Sequence, residues 1–140
     1  MRRIRSKDRD AITRIRSLTV FSGCSDEELG VARSLMTPVQ VPAGTTLITE
    51  HEPGRECFII QSGITIVAQG RVPVAHLGPG EVVGEMSLID GAARTATVCA
   101  ETDLELFVQT EREFAALLER SPSVARNIMK MMSRRMRAAA

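Results

Sequence analysis

The fifteen residues GEMSLIDGAARTATV, which begin at Gly84, combine groups that could bind a phosphate and a sugar. Gly84 permits a backbone conformation that other residues resist, and a helical turn from Glu85 would present free N–H groups and the positive end of a dipole. Asp90-Gly91 reverses the chain, so Arg94 can return to the same place with a rigid fork of donors suited to phosphate. Glu85 adds an acceptor-only carboxylate, suited to a ribose hydroxyl at the rim of such a pocket.

From spacing alone, the same residues also fit an ordinary turn. Glu85 and Arg94 would then form a surface ion pair, worth about 0–1 kcal/mol. A single short motif does not separate these two interpretations, so the elements that position it must be considered.

Short apolar runs, cut by glycine-containing turns, occupy the middle of the chain. Their spacing of roughly 8–12 residues is typical of strands in a β-sandwich or small barrel. Pro73 predicts that its run is an edge or bulged strand. The eight predicted strands cover residues 39–41, 45–49, 57–61, 64–68, 72–77, 82–83, 95–100 and 104–108.

Helices are predicted on both sides of the strands. Residues 8–17 form a charged helical candidate, and the next predicted helix ends at Pro38. The final helix is predicted to run to about Met136. Three helix starts carry capping patterns: Ser25-x-x-Glu28, Thr110-x-x-Glu113 and Ser121-Pro122.

Charge is segregated along a chain of 140 residues, a length that fits one domain. Residues 1–16 carry seven basic and two acidic side chains, and residues 126–140 carry five basic and no acidic ones. The segment between them is strongly acidic. The basic ends therefore either meet an anionic partner or lie against the acidic body.

Cysteine usage and hydropathy indicate a cytoplasmic protein. Three cysteines without a CxxC pair favour free, buried thiols in a reducing compartment. No apolar segment of a secretory signal follows the basic start, and no run approaches the ~18 apolar residues of a membrane span.

The stretch from Gly84, preceded by LGPGEVV, resembles the phosphate-binding cassette of the cyclic nucleotide-binding domain family. The likeness includes the VPAG turn and CFIIQSG. It implies a mainly β fold with flanking α-helices, an eight-stranded, jelly-roll-like β-roll. The implied single domain comprises N-terminal helices (1–37), a roll (38–109) with its cassette (84–96), and C-terminal helices (110–140).

The resemblance implies a regulatory module that binds cAMP, or cGMP, and signals by moving its terminal helices. Arg94 matches the arginine that pairs with the cyclic phosphate, and Glu85 the carboxylate that accepts the ribose 2′-hydroxyl. Ala93 replaces a frequent proline, and the sequence has no Tyr or Trp to stack on the base. The predicted ligand-binding residues are Gly84, Glu85, Met86, Ser87, Arg94, Thr95 and, from the final helix, Arg135, which the resemblance itself does not place.

Arg135 differs from the other basic residues of the final helix in its position on the helical wheel. At about 100° per residue it falls within an apolar arc, whereas the other basic residues share the opposite face. Its head either extends to solvent past the helix end or closes over the pocket to meet the base or phosphate. The members of the apolar arc are Val124, Ala125, Ile128, Met129, Met131, Met132 and Met136.

Other classes of protein fit the sequence less well. A cupin-type metalloenzyme would need clustered histidines, but His51 and His76 are far apart and are predicted to be turn or surface residues. We therefore expect no catalysis, metal or cofactor. A DNA-associated regulator fragment, without specific nucleic-acid reading, and a degenerate ligand-free fold are the alternatives. Expected partners are a cyclic nucleotide, an effector protein or fused domain, and a second copy through the final helix.

Overall fold

The structure, a computed structural model, describes residues 12–139 and contains eight antiparallel strands within them. One sheet has the order β1-β8-β3-β6 and the other the order β2-β7-β4-β5, which confirms the predicted β-roll. The strands are β1 (Thr37–Val41), β2 (Thr46–Ile48), β3 (Glu56–Ser62), β4 (Thr65–Gln69), β5 (Val72–Leu77), β6 (Val82–Val83), β7 (Thr97–Ala100) and β8 (Leu104–Thr110).

Two apolar clusters stabilise the roll, and β3 contributes to both. Phe58 and Ile60 lie in the cluster between the sheets, whereas Cys57 and Ile59 lie in the cluster beneath the helices. Successive residues of a strand point to opposite faces. The continuous apolar run of β3 therefore reflects a strand that is buried on both sides.

Helices cover the outer face of the first sheet. Four of these helices each contribute a buried apolar side chain to this packing: Ile15, Leu29, Phe114 and Ile128. The helical segments are α1 (residues 12–16), a 3₁₀ turn (Thr19–Phe21), α2 (Asp26–Ser34), α3 (Glu85–Asp90), α4 (Glu111–Arg120) and α5 (Pro122–Ala139).

The predicted helix starts are confirmed, and one predicted helix end is wrong. Both capping boxes form, and the Ser121 hydroxyl accepts the Val124 N–H at the start of α5. However, α2 ends at Ser34, because Pro38 already lies in β1, which pairs with β8 at the edge of its sheet. Of the helix predicted over residues 8–17, residues 8–11 lie outside the described residues.

The prediction for Pro73 is confirmed. β5 is the edge of the second sheet, and its pairing with β4 shifts register next to Pro73. An edge strand tolerates a residue without an N–H group.

All three cysteines are free, as predicted. Cys24 and Cys57 are buried, but Cys99 is only partly buried. Among the described helices, none is both long and apolar enough to cross a membrane.

A single carboxylate, that of Glu28, joins α2 to the junction of α4 and α5. It accepts hydrogen bonds from the Ser25 N–H (3.1 Å), the Ser121 hydroxyl (2.5 Å), and the Ser123 hydroxyl and N–H (3.1 and 3.3 Å). These bonds, above all those from Ser121 and Ser25, lower the pKa of Glu28 to about 2. Ionised Glu28 therefore anchors the first turn of α5.

We expect Glu28→Gln to lower the free energy of unfolding at pH 7 by about 1–3 kcal/mol, because an ionised acceptor is lost. A depressed folded-state pKa stabilises the protein above the unfolded pKa, and this stabilisation is lost as pH falls through the folded value. The difference between variant and wild type should therefore shrink between about pH 5 and pH 2. Denaturant titrations at a series of pH values would measure it.

The exposed neighbour Glu27 provides the control. Glu27→Gln should change stability little at any pH. A Glu28→Gln effect that is constant between pH 5 and pH 2 would contradict the role assigned to this carboxylate.

Candidate functional site

The cassette begins where β6 ends. Gly84 adopts a left-handed conformation (φ 87°) and precedes α3, which starts at Glu85. Gly91, also left-handed (φ 72°), ends the helix and donates its N–H to the Ser87 carbonyl at 3.0 Å. The helical turn and its reversal are thus confirmed. The strand predicted from residue 95 begins two residues later in the structure, at Thr97, and Arg94 lies in the loop before it.

The loop between β2 and β3 holds the backbone of Arg94. The Arg94 N–H donates to the Glu52 carbonyl, and the His51 N–H donates to the Arg94 carbonyl, both at 2.9 Å. These paired bonds fix the position from which the Arg94 side chain enters the roll.

The Arg94 guanidinium is buried and bonded to main-chain oxygens. Nη1 donates to the Gly84 carbonyl at 2.7 Å and Nη2 to the Glu56 carbonyl at 2.5 Å. The residue is only 7% exposed, and burial lowers its pKa from the ordinary value. Within residues 12–139, no carboxylate forms a salt bridge with Arg94. The interpretation of Glu85 and Arg94 as a surface ion pair is therefore wrong.

Two glycines allow backbone to approach this guanidinium closely. A Cβ at Gly84 would lie 2.7 Å from Arg94 Nη1. A Cβ at Gly54 would lie 2.3 Å from Ser87 Cβ and 3.1 Å from Arg94 Cζ. Gly54 was not among the predicted site residues, because the Pro53-Gly54 pair in the sequence indicates only a turn.

The sequence predicted that Glu85 lies at the rim of the site. In the structure the residue is buried, with only 2% of its surface exposed. Its Oε1 accepts a 2.8 Å bond from Arg135 Nη1, so a residue of α5 reaches the cassette. Burial raises the pKa of Glu85, whereas the charge of Arg135 acts in the opposite direction.

The remaining predicted site residues lie in two environments. Ser87 is buried against Gly54, while Met86 and Thr95 are exposed. The structure therefore brings Gly84, Ser87 and Arg94 together, places Glu85 against α5, and leaves Met86 and Thr95 at the surface. Their roles in ligand binding stay predictions.

The apolar face of α5 is narrower than predicted. Val124, Ile128 and Met131 are buried, but Met129 and Met136 are 62% and 72% exposed. The side of the helix that bears these two methionines faces solvent.

Both histidines are exposed, as predicted: His51 lies in a turn (φ 73°) and His76 on β5. Among the described residues, no group of three or more His, Cys, Asp or Glu side chains could hold a metal ion. Burial raises the pKa of the Cys57 thiol well above its ordinary value, so this cysteine stays protonated at neutral pH.

The sequence profile of the cyclic nucleotide-binding domain family matches residues 38–121. This region includes every strand of the roll, apart from the first residue of β1, and the loop that holds Arg94. The chain therefore belongs to the cyclic nucleotide-binding domain family.

Proteins of several types are similar in sequence to parts of this chain. The cyclic AMP receptor protein of Thermus thermophilus is 32% identical over 125 residues, 86% of this chain and 58% of that protein. A cyclic nucleotide-gated potassium channel of Mesorhizobium japonicum is 40% identical over 100 residues, 71% of this chain and 28% of the channel. The chain thus spans less than two thirds of each of these relatives.

Solved structures show the same fold. The catabolite activator protein of Thermus thermophilus superposes with a TM-score of 0.77 at 32% identity, over 86% of this chain and 59% of that one. The regulatory subunit of a cAMP-independent protein kinase A from Trypanosoma brucei superposes with a TM-score of 0.79 at 23% identity. This second match covers 90% of the present chain and 45% of the subunit.

We expect Gly54→Ala to lower the free energy of unfolding by about 1–3 kcal/mol, because the new methyl group would displace Ser87 or Arg94. Gly30→Ala is the matched control. Gly30 lies within α2, and a Cβ there meets no atom of the described residues within 4 Å. This control should stabilise the protein by about 0.5–1 kcal/mol. Chemical denaturation of both variants would measure the contrast, and equal effects would refute close packing at Gly54.

Proposed function

We propose that this chain is a regulatory module that binds cAMP through its cassette. The observation that carries the proposal is the buried guanidinium of Arg94, which is bonded to carbonyl oxygens and has no carboxylate partner among the described residues. A buried cation without a counter-ion is costly. A ligand that brings a negative charge to this place would offset that cost.

A cyclic phosphate has the chemistry that Arg94 requires. Arginine has five N–H donors, and the bonds to Gly84 and Glu56 use two of them within the described residues. The others can form charge-assisted bonds with phosphate oxygens. Because the carbonyl bonds already fix the guanidinium, little side-chain entropy is lost when the ligand binds.

The residues proposed to contact the ribose and the base rest on different observations. Glu85, close to Arg94, is the carboxylate in the family position for the 2′-hydroxyl. Thr95 is exposed and could contact either purine. Our preference for cAMP over cGMP is supported by the similarity to the cyclic AMP receptor protein of Thermus thermophilus.

We propose that the module does not catalyse a reaction and that α5 carries its output. α5 contacts the cassette through Arg135, so a change in the cassette would reach it directly. The receiver would be an effector protein, a fused domain, or a second copy that contacts Met129 and Met136, which project from α5.

Isothermal titration with cAMP and cGMP tests the proposal, with Arg94→Ala as the critical variant. Loss of one partner of a desolvated charge pair costs about 2–5 kcal/mol, which is roughly a 30-fold to several-thousand-fold loss of affinity. Arg71→Ala, an exposed arginine in the turn between β4 and β5, should bind as wild type does. Near-equal affinity of Arg94→Ala and wild type would refute the phosphate assignment. No binding of either nucleotide by wild type would favour a degenerate fold.

Glu85→Ala should weaken cAMP binding less than Arg94→Ala does, because one hydrogen bond to a charged acceptor is worth about 1.5–3 kcal/mol. The wild-type protein should bind 2′-deoxy-cAMP more weakly than cAMP, and the variant should lose most of this discrimination. Competition titrations with both nucleotides would measure it. An equal preference for the hydroxyl in variant and wild type would exclude Glu85 as its acceptor.

A further inference from the structure

The exposed basic residues of α5 form one stripe along the helix. Four of the five basic residues of α5 are exposed and form no salt bridge within residues 12–139, whereas the fifth, Arg135, pairs with Glu81 and Glu85. At about 100° and about 1.5 Å per residue, the four lie within an arc of about 80° and span about 16 Å of the helix. We call them the cationic stripe: Arg126, Lys130, Arg134 and Arg137. Because α5 itself carries no acidic residue, the charge of the stripe is available to an anionic partner.

Two exposed methionines run beside this stripe. Met129 and Met136 lie about two helical turns apart on one line of α5, and we call them the methionine edge. On the helical wheel the nearer of the two, Met129, lies about 60° from Arg126, and the small, exposed Ser133 lies between these two residues. The buried residues of α5 point the other way, toward the roll. The free face of α5 therefore has an apolar line and a cationic line, with room for a partner between them.

We propose that this face of α5 docks an amphipathic helix of a partner protein, with apolar side chains against the methionine edge and carboxylates against the cationic stripe. A helix that lies along α5 reaches both lines at once over the small side chain of Ser133. Methionine is flexible and polarizable, so the edge can adapt to the apolar residues of its partner. The inference rests on the proposed function in giving the output to α5, and it adds the chemistry of the receiver.

Other occupants of this face would use only part of it. A lipid surface takes up a broad apolar helix face, but that face of α5 packs against the roll. Nucleic-acid phosphates would pair with the cationic stripe and leave the methionine edge without a partner. The α5 helix of a second copy has no acidic residue, and residues 1–11 carry five basic and two acidic residues. Neither of these two segments therefore complements the charge of the stripe.

The exposure of the stripe determines what kind of complex it forms. An exposed ion pair contributes less than about fivefold to affinity, and salt screens it. Complementary charge mainly selects the partner and speeds its association, while the methionine edge supplies the apolar contact. We therefore expect a weak, salt-sensitive complex that discriminates between partners by the sign of their charge.

Two synthetic helical peptides of about 14 residues, long enough to span the stripe, are the probes. Both carry leucine along one line, and the adjoining flank carries glutamate in one peptide and lysine in the other. Fluorescence anisotropy should show that the wild-type chain binds the glutamate peptide and not the lysine peptide. Raising the salt concentration from about 50 to about 500 mM should weaken this binding about tenfold.

Three double variants separate the contributions of charge and apolar contact. Lys130→Glu with Arg134→Glu should weaken binding of the glutamate peptide by at least about tenfold and create binding of the lysine peptide, because the complementarity is reversed. Met129→Ser with Met136→Ser should weaken binding of the glutamate peptide roughly tenfold, since the apolar contact is lost. The matched control is Arg71→Glu with Arg112→Glu. It makes the same change in net charge at exposed sites outside α5 and should leave the binding of both peptides unchanged.

Several results would overturn the docking surface. Among them are equal binding of the two peptides, binding of neither, and equal losses in the charge-reversed variant and its control. Tighter binding to phosphatidylglycerol vesicles or to a DNA duplex than to the glutamate peptide would assign the stripe to lipid or nucleic acid instead. Self-association that the methionine variant abolishes, seen by sedimentation, would assign the edge to a second copy.

Titration of cAMP separates this inference from the proposed function, because the charge-reversed variant should bind cAMP as wild type does. Peptide binding by a wild-type chain that does not bind cAMP would refute the proposed function and leave the docking surface. Binding of cAMP without binding of the glutamate peptide would refute only the docking surface. Circular dichroism verifies that each variant is folded, and Lys130→Gln with Arg134→Gln serves if the charge-reversed variant is not.

Discussion

The site depends on how a cation, Arg94, is kept inside the roll. Its guanidinium bonds to the carbonyls of Gly84 and Glu56, so it ties the start of α3 to the start of β3. Those carbonyls are accessible because glycine at positions 54 and 84 leaves room for the side chain. Carbonyl dipoles satisfy hydrogen bonds without neutralising the charge, and the cassette therefore keeps a positive centre that is already oriented.

The strands and the cassette turn were predictable because their causes are local. Glycine, proline and short apolar runs mark strand ends within a few residues. The left-handed Gly84 and Gly91 likewise mark the start and the end of a helical turn, whatever surrounds that turn in the fold. The predicted ends of elements were wrong where backbone hydrogen bonds to distant segments decide where a strand or helix ends. β7 begins two residues later than predicted, and just before it the backbone of Arg94 bonds to Glu52 and His51 rather than to a neighbouring strand.

What could not be predicted depends on distances between parts of the chain that are far apart in sequence. Gly54 looks like any turn glycine until the cassette is folded against it. The helical wheel showed that Arg135 lies within the apolar arc of the final helix. It could not show the acceptors Glu81 and Glu85, because they lie about fifty residues earlier in the chain. The exposure of Met129 was hidden for the same reason, since a wheel gives the direction of a side chain and not the width of the surface it meets.

The two-sided burial of β3 determines where the chain tolerates sequence change. The four consecutive residues from Cys57 to Ile60 have no solvent-facing position, so a polar substitution at any of them would leave an unpaired group in one of the two cores. β5 is the opposite case, since five of its six residues are exposed and Pro73 discourages pairing with another chain. Variation that preserves the fold is therefore expected to accumulate along β5 while β3 stays apolar, so divergent members of the family should be aligned on β3.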